Sequence, residues 1–210
     1  MPRLYQLLGW SYVGLCLFAM SARETFAEDP PNTAAGAPMT GGVLASEEEW
    51  FRRVRPYCNT VEIGVVQRQT PAPATVRGAG FAAACYALAG NIDEARRIID
   101  AVPNDSRYIA AGVVFDVGHP VADACDDRAA GPIMELVVDY WPNHYMALYH
   151  AGMAEYMLGQ RALSQHNLEQ FLATYQERDG WRANAEEVLQ RLGSNSALDQ
   201  DVRRPREPGQ

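Results

Sequence analysis

The sequence predicts an all-α chain built from short antiparallel helix pairs, and three observations predict it. Apolar residues recur at three- and four-residue steps, as on one helix face, and strand-like alternation is nowhere sustained. Stop signals fall at helix-length intervals: Gly90-Asn91, Pro103, Gly118-His119-Pro120 and Gly159. The segments around Gly90 and Gly159 also align with each other, at an offset of 69 residues.

The elements follow in order. Ser46 and Glu49 fit a capping box, and acidic residues fill the first turn behind it. Trp50, Val54, Tyr57, Cys58, Val61 and Val65 then mark one apolar face, in which Pro56 either kinks one helix or separates two. Residues 75–89 are rich in alanine, which suits close packing. Residues 92–101 carry Ile92, Ala95, Ile98 and Ile99, with Val102 following, and Pro103 ends them. Asp105 and Ser106 cap a helix over roughly 106–117, which Gly118-His119-Pro120 terminates. Residues 121–131 fit no pattern. Pro132 opens a helix over 132–141, Asn143 caps 144–158, and Gly159 breaks it. Helices over 161–176 and 181–192 complete the domain, 46–193.

The ends read differently. Residues 1–27 have a short basic start, an apolar run and the cleavage context Thr25-Phe26-Ala27, as an export signal does. An uncleaved anchor is the alternative, though residues 4–20 are short for a membrane span. Residues 28–45, with prolines and glycines among small residues, read as a flexible linker. The tail, 194–210, has few apolar residues and reads as disordered. The expected location is therefore periplasmic or extracellular, with any membrane contact made only through the N-terminal segment.

Composition excludes several chemistries. All 18 basic residues of the 210-residue chain are arginine, so no lysine is available as Schiff base, P-loop cation or general base. A net charge of −8 argues against a nucleic-acid partner. There is no Gly-x-Ser-x-Gly and no Gly-x-Gly-x-x-Gly.

With Gly90 set on Gly159, Ala83 falls on Gly152, Ala95 on Ser164, Ile99 on Leu168 and Val102 on Phe171. The offset is close to twice a period of about 34 residues. A middle unit fits with Gly112 at the close-approach position and an apparent insertion from Gly118 to Gly131. On these residues the stretch 75–193 resembles the tetratricopeptide-repeat superfamily. Its best unit runs from Met146 to Phe171, with Glu155 standing where a tyrosine is typical and Ser164 where alanine is usual. The resemblance implies a right-handed superhelical array whose first helices line a groove for a protein or peptide segment. It places Met146, Tyr149, Met153 and Tyr156 in that groove, with Arg77 in the first unit. It also makes Ser106, Ile109, Val113 and Asp116 the middle unit's share. The Met/Tyr stripe reads more readily as buried core, packed against the preceding helix pair.

His119, Asp123, Asp126 and Asp127 form one cluster to weigh for a metal. His119 and Asp123 share a face only if their segment is helical. Read as a turn, the histidine and its aspartates cap or solvate a loop, and calcium-loop spacing is absent. The expectation is therefore no metal and no cofactor. Cys58 and Cys85 sit in successive helices and can bridge if their faces meet, or remain buried thiols; Cys125 is then the odd, free cysteine. The reading that gathers these features is an exported, noncatalytic adaptor. Its rivals are a metal-dependent enzyme using the His119/Asp123 region and a self-associating structural domain.

Overall fold

The computed structural model describes residues 46–203, with side chains to 194, so the expectations for 1–27 and 28–45 lie outside the described residues. Among the described residues the chain is all-helical. Its helices are α1 (Glu47–Val54), α2 (Ile63–Gln69), α3 (Val76–Leu88), α4 (Ile92–Asp100), α5 (Arg107–Asp123), α6 (Asp127–Tyr140), α7 (Tyr145–Met157), α8 (Arg161–Thr174) and α9 (Gly180–Arg203). None is long and apolar enough to cross a membrane.

Local chemistry sets the boundaries. Ser46 accepts the Glu49 amide at 3.2 Å, and Thr75 accepts that of Gly78 at 2.9 Å. Pro56 lies in a 3-10 turn that ends α1, and α2 starts afresh at Ile63. The break resets the helical phase. Val54, Ile63 and Val66 are buried, whereas Tyr57, Val61 and Val65, expected on the same face, are exposed at 39%, 83% and 43%. His144, not Asn143, caps α7, its Nδ1 accepting the Ala147 amide at 3.2 Å.

Pro120, expected to end a helix, and Pro132, expected to open one, both lie inside helices. α5 runs through Gly118-His119-Pro120 to Asp123, and α6 begins at Asp127 and carries Pro132. Both prolines are exposed, so water can serve the carbonyls whose helical bonds they remove. Burial of Gly118, Ala122, Ile133 and Met134 on the opposite faces offsets the cost of about 3 kcal/mol per proline.

This continuity changes the repeat. Gly90 and Gly159 end α3 and α7 with φ of +76° each, and Cys125 ends α5 with φ of +58°. All three turns make the same two bonds. The amides of Gly90, Cys125 and Gly159 reach Ala87, Ala122 and Tyr156, and those of Asn91, Asp126 and Gln160 reach Tyr86, Val121 and Glu155. This is a helix-ending turn that normally calls for glycine. The turns stand at 90, 125 and 159, so the period is 35 and then 34 residues. Seven residues before each turn come Ala83, Gly118 and Gly152. Five after come Ala95, Ala130 and Ser164; nine after, Ile99, Met134 and Leu168; twelve after, Val102, Val137 and Phe171. Every one is buried. The middle unit therefore has Gly118, not Gly112, at its close approach, and it contains no insertion.

The two junctions between units differ. A Cβ on Gly80 would lie 2.8 Å from Val113 Cβ and 2.9 Å from Ala110 O, so α3 and α5 cross in close contact. Ten residues before the second turn the equivalent position is Phe115, and there α7 packs chiefly on α6 rather than on α5.

Both ends of the array are covered. Trp50, fully buried, donates from Nε1 to Thr70 O at 3.0 Å, and Phe51 stacks on Phe81 of α3 at 5.0 Å. Cys58 and Cys85 are joined in a disulfide, their Cα atoms 4.8 Å apart, tying this cap to α3. Cys125 is not the free thiol expected, because among the described residues no cysteine is free. At the other end Ala185, Val188 and Leu192 of α9 pack with Leu148, Tyr149 and Phe171. α9 continues to Arg203, into the stretch whose composition reads as disordered.

Candidate functional site

The expected Met/Tyr groove is not an open surface. Tyr149 and Met153 are buried, at 1% and 2% exposure, because α9 lies against that face of α7. The Tyr149 hydroxyl accepts from Asn184 Nδ2 of α9 at 2.8 Å. Met146 and Tyr156 are half-buried. Arg77 is exposed but ion-paired with Glu48 at 2.5 Å and set over the Phe81 ring at 5.8 Å. In the middle unit Val113 is buried, while Ile109 and Asp116 are exposed.

What gathers instead is a set of rings where α5, α7 and α9 meet. Phe115 and His119 are one turn apart on α5, and their rings stack at 4.9 Å. His119 meets His150 of α7 at 4.8 Å, and Phe115 meets the capping His144 at 4.2 Å. The circuit closes on the other side of α7. His150 contacts Tyr149, Tyr149 contacts Phe171, Phe171 stacks on Tyr175, Tyr175 on Tyr145, and Tyr145 on His144. Trp181 stands edge-on to Tyr149 at 4.9 Å, and Tyr108 edge-on to Trp141, which touches His144. Tyr108, Tyr145 and Trp181 are 46%, 45% and 39% exposed, so the circuit reaches the surface. The bulk of Phe115 at the wide junction leaves room for it; the equivalent position in the first unit is Gly80.

Within the circuit lies a polar centre. His119 Nε2 is 3.0 Å from His150 Nε2 and 3.6 Å from Asp123 Oδ1. α5's continuation through Pro120 puts His119 and Asp123 on one face, contrary to the turn reading. Asp126 and Asp127 do not join them: Asp126 caps α6 by accepting the Ala129 amide. His150 is 3% exposed, and burial, helped by neighbouring His119, pushes its pKa down to about 4. Its Nδ1 has no hydrogen-bond partner. His144 is also held below its ordinary value, by burial first.

A second polar cluster sits between α6, α7 and α8. Asn167 Nδ2 lies 2.5 Å from Glu135 Oε1 and 3.1 and 3.0 Å from the two carboxylate oxygens of buried Glu155. Burial raises the Glu155 pKa, and its hydrogen bond with Glu135 raises it further. Both effects favour the protonated form of Glu155.

Sequence reading missed His150, Phe115 and Trp181. His150 lies 31 residues from His119, a spacing that belongs to no local motif. Of the second cluster, only Glu155 stands out in the sequence, as a departure from the tyrosine typical of tetratricopeptide repeats. No protein-family model, curated protein or solved structure matches the chain.

Proposed function

We propose that the chain is an exported, noncatalytic adaptor of the tetratricopeptide type that holds a protein or peptide segment. The observation that carries this reading is the threefold recurrence of one turn, with its bonds and buried neighbours, at 35 and 34 residues. That is the period of the superfamily, and stacked helix pairs of this kind form extended binding surfaces.

The binding face differs from the one the resemblance implies. With Tyr149 and Met153 buried, the exposed rings Tyr108, Tyr145 and Trp181 take the contact role. Tyrosine and tryptophan offer large apolar area with a polar tip and are enriched at interfaces. Arg77 is neutralised by Glu48, so capture of a chain-terminal carboxylate has no support. A segment with apolar side chains fits the ring face better.

The test is site-specific photo-crosslinking in the cell of origin. A photoreactive phenylalanine at positions 108 and 145 should give discrete adducts. The same residue at Val61 and Leu163, exposed at 83% and 50% elsewhere on the molecule, should give none. Equal adducts from all four positions, or none from any, would refute the reading.

A further inference from the structure

We propose that His119, Asp123 and His150 form an exchangeable site for a divalent first-row transition-metal ion of the zinc class. The inference stands apart from the adaptor reading, because it rests on three side chains rather than on the ring face.

The geometry is that of a ligand set. The three candidate atoms lie within 4.8 Å of one another. Bonds of about 2.0–2.1 Å to a tetrahedral ion place ligand atoms about 3.3 Å apart. The separations of 3.0 Å between the histidine nitrogens and 3.6 Å from His119 to Asp123 bracket that length. Asp123 is the adjustable member, with its side chain 56% exposed at the end of α5. His150 is the fixed one, wedged between Tyr149 and Trp181.

Without an ion the two Nε2 atoms must divide into one donor and one acceptor. With one, both turn lone pairs toward it. Two imidazoles and a carboxylate select zinc, copper, nickel or cobalt over magnesium and calcium, which prefer all-oxygen shells. Three protein ligands on a partly open surface leave a coordination position for water. Two features make the ion exchangeable. His150 Nδ1 lacks the acceptor that normally orients a ligating imidazole, a deficit worth about 10–100-fold in affinity, and the site is open on the Asp123 side. Thiolates do not compete, since among the described residues no cysteine is free.

The experiment uses the full chain with disulfides intact, stripped with chelator and titrated calorimetrically with zinc sulfate. Cobalt(II) absorption provides an independent readout of low-symmetry nitrogen coordination. One zinc per chain is expected, unaffected by excess magnesium, with a visible cobalt band that zinc abolishes. His119→Ala and Asp123→Asn, both at solvent-reached positions, should each weaken binding at least about tenfold while leaving the helical circular dichroism unchanged. His166→Ala, on an exposed helix face, should leave binding as it is. Absence of zinc binding, or binding indifferent to His119→Ala and Asp123→Asn, would overturn the assignment. So would magnesium displacing the ion.

Discussion

The register of the middle unit can be tested with two glycines six residues apart. Gly118 is the close-approach residue read from the Cys125 turn, and Gly112 is the one suggested by sequence alignment. A Cβ on Gly118 would sit 2.5 Å from Ile133 Cγ2. Carbon atoms normally rest about 3.5–4.0 Å apart, so the intrusion is at least about 1 Å. Ile133 is 1% exposed and β-branched within a helix, so it has essentially one rotamer and no free space to enter. Overpacking costs about 1–3 kcal/mol, and against an immovable neighbour the upper part applies, about 2–3 kcal/mol, of which the higher helix propensity of alanine returns about 1 kcal/mol. Gly118→Ala should therefore lose about 1–2 kcal/mol. At Gly112 the nearest atom is the rim of the half-buried Trp141 ring, at 3.3 Å, which can yield by tenths of an ångström. There the propensity gain wins, and Gly112→Ala should be neutral or up to about 1 kcal/mol more stable. Urea unfolding followed by far-ultraviolet circular dichroism separates the two. In thermal scans Gly118→Ala should melt roughly 2–8 °C lower. Adding Ile133→Leu, which removes the offending Cγ2 at constant volume, should recover part of the loss. If Gly118→Ala proves as stable as wild type, or Gly112→Ala costs more, the 35-and-34 register is wrong.

Two further predictions concern buried chemistry. The Cys58–Cys85 bond spans 27 residues of sequence, so Cys58→Ser with Cys85→Ser should cost about 3–4 kcal/mol in urea unfolding. A loss below about 1 kcal/mol would mean that α1 and α2 hold to α3 without it. Glu155, its pKa raised by burial and by Glu135, binds a proton in the folded state that the unfolded chain releases. Its contribution is therefore largest below the ordinary glutamate value of 4.5 and is lost as pH rises toward the raised folded value. Glu155→Gln, neutral throughout and still within reach of Asn167 and Glu135, should flatten that decline between about pH 5 and about pH 9. Unchanged slopes would place the titrating group elsewhere.

Much of the fold was legible because the chain marks it with residues of one meaning. Gly90 and Gly159 announce left-handed turns, and the Ala83/Gly152 and Ile99/Leu168 pairs follow from them. The middle unit was not legible because Cys125 adopts the same left-handed turn without being glycine. Pro120 added a false stop and Pro132 a false start, each tolerated because it faces water while its neighbours bury apolar mass. Losing α5's last turn also hid the site. His119 and Asp123 become helical neighbours only when the helix continues, and His150 arrives from another unit through tertiary packing. The Met/Tyr stripe lies along α7, with Tyr149 and Met153 buried and Met146 and Tyr156 half-buried. Whether that stripe was groove or core depended on where α9 lay, which periodicity cannot report.

The covering of both ends bears on how copies of this chain can assemble. In an open array each terminal face is an invitation to the next module, and identical chains can join head to tail without limit. Here one terminal surface is occupied by Trp50 and its bridged cap and the other by α9 with Val188 and Leu192. Fibre growth along the stacking axis would first require stripping a covalently tethered lid from one chain and a packed helix from another.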